Sequence, residues 1–426
     1  MLIAGEASGD LLAAELVRAL RQTFAEAVVI PTADYQPLHT GLEPRFFGAG
    51  GPQMAAAGVE LAFDMTEHSV IGLSEVLKHY LKFRRLFRQL FRLALKRQPD
   101  AIICVDFSGF NRRFAHAIRQ YTCARADWFH DWKPTIIQYV SPQVWASREG
   151  RAYQMARDYD LVLSIFPFEQ AWYAQRVPQL RVEFVGNPIA ERYAQEQGKQ
   201  GKRRGDQGAP IVLLLPGSRP GELRRHLPVM IGALELLHAK VPNLRARMVL
   251  PNEGLVPQAR ASELPASLAV QVGGLPEAMA EADVAIASTG TVTIECAYFG
   301  LPTVALYKTS WSTWQIAKRI VKVKYAAMPN LLANEELFPE FIQAAATPDN
   351  IARAALELLC DEGRRAKVKA RLAEVIAALG GPGATRRAAQ AIVTTLNATA
   401  PARPLDSSGR SPDDPPRSRA RIGAAQ

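Results

Sequence analysis

The sequence predicts an α/β protein of two Rossmann-like lobes that face a cleft. Short apolar runs alternate with helix-length segments along most of the chain, the pattern that builds parallel sheets flanked by helices. Several of those runs end in loops of glycine, serine, threonine or acid, at the strand ends where open α/β sheets hold their ligands. A polar, glycine-rich interval without periodicity, QEQGKQGKRRGDQGA at 195–209, separates two such series and reads as a linker. The expected units are therefore 1–194, the linker 195–209, and 210–397. The remainder, 398–426, is rich in Pro, Ser, Arg and Asp with almost no large apolar residue and is expected to be disordered.

The 426 residues suffice for two or three domains with cores of their own, and 48% hydrophobic residues is an ordinary globular fraction. Cys104, Cys123, Cys296 and Cys360 lie far apart, with no CxxC or Cys/His grouping of zinc spacing. No metal site is expected, and a reduced cytoplasmic protein is the simplest account. No basic-then-apolar leader follows Met1 and no run of about 18 apolar residues occurs, so neither export nor a membrane span is expected.

The formal net charge is +10, and much of the excess sits in one segment. Lys78, Lys82, Arg84, Arg85, Arg88, Arg92, Lys96 and Arg97 follow one another without an acid. Leu77, Leu81, Phe83 and Phe87 are interleaved with them, and Val70, Ile71 and Leu73 lie just upstream. Cations and apolar groups at helical spacing suit an anionic membrane surface. A helix packed on a sheet with its cations outward has the same pattern, and both readings stand. Nucleic acid is not favoured as a partner, because no nucleic-acid-binding motif accompanies the charge.

From the N-terminus, Leu2 to Ala4 is a short strand that turns at Gly5-Glu6-Ala7-Ser8-Gly9-Asp10 into a helix reaching about Phe24. The acids Glu6 and Asp10 favour sugar hydroxyls or helix capping over a phosphate in this loop. Phe46 to Gly51 is a strand and turn whose GAGG lacks the GxGxxG spacing of a dinucleotide site. Ala101 to Val105 is a strand ending at Asp106, after which Phe107 to Asn111 open a helix. An acid there is a candidate general base, or a cap for that helix. Ile136 to Val140 leads into Ser141-Pro142-Gln143-Val144-Trp145, followed by a helix from Arg148 to Arg157 and a strand from Leu161 to Phe166. Asp158-Tyr159-Asp160 has the form of the DxD of metal-dependent sugar transferases. It precedes a strand rather than following one, at the wrong end of a sheet for a ligand.

Beyond the linker, Ile211 to Leu215 is a strand with Pro216-Gly217-Ser218-Arg219 at its C-terminal end, where Arg219 can pair with a phosphate. Met248 to Pro251 and Ala269 to Val272 are further strands, and Pro276 to Glu281 a helix. Val284 to Ala287 is a buried strand broken by Ser288, Thr289, Gly290 and Thr291. A helix from Thr293 to Phe299, a stop at Gly300-Leu301-Pro302 and a strand from Thr303 to Leu306 complete the unit. Free N–H groups at that helix start, beside a glycine and hydroxyls, make an anion site. Glu295, about one turn in, is placed to accept from a ribose diol, with N-terminal capping as its alternative. A diphosphate with a ribose beside it suggests a nucleotide. Lys318 and Arg319, in AKRIVKVKY, are either further phosphate ligands or members of an exposed helix.

Taken in order, these motifs resemble one family. GEASGD at 5–10, GGPQM at 50–54, DFSGFN at 106–111, YVSPQVWA at 139–146, FPFE at 166–169, FVGNP at 184–188, LLPGSR at 214–219, GTVTIECA at 290–297 and PNLLA at 329–333 look like the motif series of the lipid-A-disaccharide synthases. The resemblance runs from Met1 to about Leu396. It implies the B-type glycosyltransferase fold and an inverting hexosyltransferase of lipopolysaccharide synthesis in Gram-negative bacteria. Such an enzyme joins UDP-2,3-diacylglucosamine to 2,3-diacylglucosamine 1-phosphate through a β(1→6) bond and releases UDP, with no metal or other cofactor. By motif match, Asp106 takes the place of the family's essential acid. Gly217, Ser218, Arg219, Ser288, Thr289, Gly290, Thr291, Glu295 and Asn330 fall in its nucleotide-binding motifs. Glu6, Ser8, Asp10, Asn111 and Gln143 fall on the acceptor side, in the lobe 1–194. The implied location is cytoplasmic and peripheral, on the inner face of the inner membrane, whose anionic surface is then a partner; a homodimer is left open.

This chain departs from the family pattern in places. The family's first strand normally has several more residues before GEASGD, which leaves the true start open. Gly109 stands where some members carry a second acid in the Asp106 loop, so work shared between two carboxylates is in doubt here. The segments 32–45 and 123–133 look like insertions. The expected chemistry is an inverting displacement, with Asp106 taking the proton of the acceptor's primary hydroxyl and UDP leaving as an anion beside Arg219 and the 288–291 loop. A UDP-GlcNAc 2-epimerase on the same fold, or a nucleotide-sugar-binding protein without turnover, are the alternatives, and the apolar basic segment speaks against the epimerase.

Overall fold

The computed structural model describes residues 1–29, 43–66, 76–125, 131–194 and 208–399. Val70, Ile71 and Leu73, most of the linker and the tail beyond Thr399 lie outside the described residues.

Seven parallel strands form the first sheet: β1 (Leu2–Ala4), β2 (Phe47–Gly50), β3 (Glu60–Asp64), β4 (Ala101–Val105), β5 (Thr135–Tyr139), β6 (Leu161–Ser164) and β7 (Val182–Phe184). Their order is β3-β2-β1-β4-β5-β6-β7. The chain therefore winds one way from β1 and the other way from β4, and the crevice beyond this switch point is where a ligand fits. The two loops that open there are GEASGD after β1 and DFSGFN after β4. The second sheet repeats the scheme with β8 (Ile211–Leu215), β9 (Arg245–Leu250), β10 (Leu268–Val272), β11 (Val284–Ser288), β12 (Thr303–Tyr307) and β13 (Glu340–Ile342), in the order β10-β9-β8-β11-β12-β13. Its switch point lies between β8 and β11, beneath PGSR and STGT. The continuous apolar runs of β8 and β11 follow from burial on both faces, as Val212, Leu213, Leu214, Val284, Ala285 and Ile286 show no exposure.

Helices cover both sheets. In the first lobe they are α1 (Ala7–Val29), α2 (Pro52–Ala56), α3 (Val76–Arg97), α4 (Ser108–Ala124), α5 (Val144–Ser147), α6 (Arg151–Asp158), α7 (Pro167–Arg176) and α8 (Ile189–Arg192). The second lobe contributes α9 (Pro220–Lys240), α10 (Thr291–Tyr298), α11 (Trp311–Ile320), α12 (Met328–Ala333), α13 (Pro348–Cys360) and α14 (Glu362–Ala378). The last described helix, α15 (Ala384–Thr399), departs from the expected division at 397. It packs on α1 and across β5 and β6, burying Ala388, Ala389 and Ile392 with Leu2, Val17 and Ile137. Thr385 Oγ1 donates to Glu191 at 2.6 Å and Arg387 Nε to the Val185 carbonyl at 2.8 Å. The apolar side of α1 would be open to water without this cover, so the chain returns to its first lobe. Ala398 and Thr399, expected in the tail, close this helix.

The basic segment forms α3, and its inner face is core. Leu86, Leu90 and Ala94 are buried with Ile3 and Cys104, while Phe83, Phe87 and Phe91 pack against the same cluster. The Phe87 ring lies 5.5 Å from Phe110 and 5.6 Å from Phe114, both edge to face. Lys82, Arg84, Arg85, Arg88, Arg92, Lys96 and Arg97 are exposed. The expectation that Phe83 and Phe87 face a membrane is thus corrected. A helix lying on a sheet needs an apolar stripe, and these two side chains are in it. Leu77 and Leu81 fall within α3, but their side chains lie outside the described residues.

Candidate active site

The two lobes meet across the cleft through their switch-point loops. Asp106 follows β4 in the left-handed region at φ 47°, and Phe107 continues there at φ 41°. Two successive non-glycine residues in that region store of order 1 to 3 kcal/mol each, a kind of strain that clusters at functional sites. Three observations say what holds it. The Asp106 N–H donates to the Tyr139 carbonyl at 2.7 Å. Asn111 Nδ2 donates to the carbonyls of Asp106 at 2.9 Å, Val105 at 3.2 Å and Ile3 at 3.3 Å. The Phe107 ring lies against the backbone of Gly5, where a Cβ would come within 2.3 Å of it. Asn111 was expected to face the acceptor; it is instead fully buried and ties the ends of β1 and β4 together.

The Asp106 residue is exposed at the end of β4, yet the neighbouring protein strips part of its carboxylate's solvation. Its pKa is raised, first by that loss of solvation and then by the charge of Glu6, against the opposing pull of the Phe107 N–H and Arg219. Glu6 and Arg219 themselves form an ion pair across the lobes at 3.5 Å. Ser8 is exposed in the first turn of α1, and Gly9 beside it is close enough that its Cβ would sit 3.6 Å from that of Asp106. Asp10 is corrected to a structural role. It is buried and accepts from the backbone N–H groups of Gly51, Gln53 and Met54 at 2.8, 2.9 and 3.0 Å, which caps α2.

In the second lobe, Gly217 turns the chain at φ 120°, so that the Ser218 N–H donates to Glu222 at 3.0 Å. Arg219, the N-cap of α9, lies 3.8 Å from the same carboxylate. The donors expected to receive a phosphate are thus occupied by Glu222 and Glu6. Arg219 is well exposed, and ion pairs in water contribute little, so an arriving diphosphate can displace them. His226, which no local pattern in GELRRHLP marks, supports this loop from below. It is buried, its Nδ1 lies 2.7 Å from the Pro216 carbonyl, and its Nε2 lies 3.0 Å from the Lys308 nitrogen. Because the Lys308 N–H can only donate, Nε2 accepts and Nδ1 carries the proton. Burial lowers its pKa and keeps this neutral form. The ring thereby clamps the end of β8 to the end of β12.

The 288–291 loop opens α10 as anticipated, with Gly290, at φ 149°, in open space and Thr291 exposed. Thr289 is half-buried. Ser288 is buried and its hydroxyl faces the Thr289 carbonyl, so its side chain is not presented to a ligand. Glu295 accepts from the Tyr193 hydroxyl at 3.2 Å through Oε1, leaving Oε2 without a hydrogen-bond partner among the described residues. Its pKa is raised by burial, with Arg192 and Tyr193 opposing. Asn330 is corrected. It is fully buried, donates to the Phe338 carbonyl and Glu340 at 2.7 Å each, and accepts from the N–H groups of Leu337 and Phe338 at 2.9 and 2.7 Å. An amide has no hydrogen-bonding capacity beyond that, and Asn330 serves to fold the loop after α12. Gln143 is exposed with its Nε2 3.9 Å from Met328 Sδ across the cleft. Lys318 and Arg319 are exposed on α11, a helix without a buried residue.

Behind the Ser141–Gln143 loop sits a buried acid that the motif FPFE did not explain. Glu169 accepts from Trp145 Nε1 at 2.9 Å and from Ser164 Oγ at 2.8 Å. Burial pushes its pKa up to about 7 from an ordinary value of 4.5, against those hydrogen bonds. A carboxyl raised in the folded state favours folding below its unfolded pKa, and that stability is lost as pH rises through the folded one. Glu169→Gln should therefore flatten the decline of stability between about pH 4.5 and 7. By linkage the difference is about 3 kcal/mol across that window, read from urea midpoints against pH. An equally steep decline in the variant would place the titration elsewhere. Asp158 and Asp160 have partners of their own. Asp158 lies 3.0 Å from His116 Nδ1, and Asp160 pairs with Arg119 at 2.7 Å. Among the described residues, no group of three His, Cys, Asp or Glu side chains could hold a metal.

Known proteins resemble this chain over nearly its whole length. The family model described as lipid-A-disaccharide synthetase matches residues 1–394. The chain is 36% identical over 402 residues to the lipid-A-disaccharide synthase of Alkalilimnicola ehrlichii, covering 92% of this chain and 97% of that protein. Among solved structures it resembles the glycotransferase of kitacinnamycin, with a TM-score of 0.56, 19% identity and 93% and 98% of the two chains covered. It also resembles the UDP-GlcNAc 2-epimerase of Neisseria meningitidis, with a TM-score of 0.50, 11% identity and 93% and 98% covered. Both structural likenesses concern the fold alone, which a transferase and an epimerase share.

Proposed function

We propose, from the premise that the chain belongs to the lipid-A-disaccharide synthase family, that Asp106 is the general base of its reaction and that the loops of the second lobe bind UDP. The reaction itself is the family's. The enzyme condenses UDP-2,3-diacylglucosamine with 2,3-diacylglucosamine 1-phosphate, forming the β(1→6) disaccharide 1-phosphate and UDP. The 6-hydroxyl of the acceptor attacks the anomeric carbon as its proton passes to the Asp106 carboxylate. The bond from that carbon to the β-phosphate oxygen breaks on the opposite face, and configuration inverts. The negative charge that develops on UDP is met by Arg219 and by the N–H groups at the start of α10. Glu295 Oε2 accepts from the ribose. The Glu6–Arg219 pair carries this reading, because it brings the loop that adjoins the base and the loop of the leaving group together.

In this reading the first lobe, 1–194 completed by α15, receives the acceptor, and the second lobe receives the nucleotide sugar. The enzyme works on a membrane surface. No helix among the described residues is long and apolar enough to cross a bilayer. Surface attachment is supported by the exposed cations of α3 and by α11 with the residue that follows it, where Trp311 is 77%, Ile316 55% and Val321 49% exposed beside Lys318 and Arg319. The site assignment is tested with the nucleotide alone. Arg219→Ala and Glu295→Ala should each weaken UDP binding by about 1 to 3 kcal/mol, since each removes a hydrogen bond involving a charged group. Unchanged UDP titrations in both would move the nucleotide site away from these loops.

A further inference from the structure

Four arginines gather on the first lobe beside the Asp106 loop. Arg112 and Arg113 lie near the start of α4, Arg148 follows α5 and Arg151 opens α6. The two longer helices pack together, and Arg112 Nη1 donates to Gln154 of α6. Arg151 is half-buried, and its pKa is lowered by that burial and then by the charges of Arg112, Arg148 and Arg113. Among the described residues none of the four has an acid for a partner. Glu149, between Arg148 and Arg151 in sequence, is taken up elsewhere, 3.9 Å from Arg176 and 3.8 Å from Lys322. Arg112 Nε is buried without a hydrogen-bond partner. Buried donors and crowded cations are normally satisfied, and a cluster of this kind fits a doubly charged anion.

We propose that this cluster binds the phosphate monoester of the acceptor sugar. The inference rests on the reaction given above and extends it to the substrate's second charged group. A monoester carries between one and two negative charges at neutral pH and offers three acceptor oxygens, which suits several guanidinium forks. Its place is set by α4. Arg112 and Arg113 come four and five residues after Ser108, about 6 to 8 Å along the helix axis from its start beside Asp106. The anomeric phosphate and the 6-hydroxyl flank the ring oxygen of one sugar. A group that holds the first must lie within a sugar's width of the base that deprotonates the second. The diphosphate of the donor has its own receptors in the other lobe, so the two anions do not compete.

The test uses the full-length enzyme and two acceptors, 2,3-diacylglucosamine with and without its 1-phosphate, in detergent. Wild type should prefer the phosphorylated acceptor in kcat/KM. Arg148→Gln/Arg151→Gln should lose about 10- to 100-fold on that acceptor, mainly in KM. Its activity on the dephosphorylated acceptor and its KM for the donor should stay near wild type. A variant that still discriminates between the two acceptors as wild type does overturns the proposal. So does a loss that is equal for both acceptors, which is the mark of a structural role. If the variant keeps its discrimination but no longer sediments with phosphatidylglycerol vesicles, the anion is a lipid headgroup and the proposal fails in that way. Wild type that releases no UDP with either acceptor would instead sink the reaction assigned above.

Discussion

Asp106→Asn should lower turnover at least about a hundredfold while leaving the fold and UDP binding intact, as expected on removal of a general base. Asparagine keeps the shape of the side chain, and the strained backbone beneath it is held by Asn111, Tyr139 and Gly5, none of which depends on the carboxylate. The melting temperature should therefore move little. Turnover within a few-fold of wild type in the purified variant would show that another group takes the proton. The raised pKa adds a second readout. Asp106 must be ionised to act, and both desolvation and Glu6 hold it protonated to higher pH than an ordinary aspartate. The acidic limb of kcat/KM should then lie above the usual aspartate range. Glu6→Gln, by removing one of the two causes, should move that limb downward. A limb that stays in place in Glu6→Gln would mean that the titrating group is not Asp106.

Phe87→Ser should destabilise the protein by about 2 kcal/mol, somewhat less than truncation of a fully buried aromatic ring because Phe87 is half-buried. The half-buried ring packs against Phe91, Phe110 and Phe114, and serine forfeits those contacts. Exposed Arg84→Gln and Arg88→Gln on the same helix should leave the melting temperature nearly unchanged and weaken sedimentation with anionic vesicles. If Phe87→Ser melts like wild type and loses the vesicles, α3 presents its aromatic face to lipid and the packing described here does not hold it in solution. The two sets of variants thus separate the inner face of one helix from its outer face.

Much of the architecture was legible before folding was considered. Buried parallel strands must be continuously apolar, so Ile211–Leu215 and Val284–Ser288 stand out, and the loops after them must be polar and small where a ligand approaches. That reasoning singled out Asp106, Arg219 and Glu295, which lie beyond the C-terminal ends of β4, β8 and β11, and the succession of motifs pointed to the family. Local pattern could not show which polar residues face the cleft and which face the protein. Asp10 and Asn330 fall in motifs expected to line a site, but hydrogen bonds within the protein consume both side chains. Asn111 and His226 support the Asp106 loop and the Pro216–Arg219 loop only because β1 adjoins β4 and β8 lies near β12. The short edge strands β3, β7 and β13 owe their conformation to a neighbour's hydrogen bonds more than to their own composition. α15 joins the first lobe because an apolar face of α1 needs covering, a demand made by a helix more than 350 residues earlier in the chain. Period and composition follow from what each segment must bury, and are therefore written locally. Which partner satisfies a buried donor or a bare face depends on what the completed fold brings beside it.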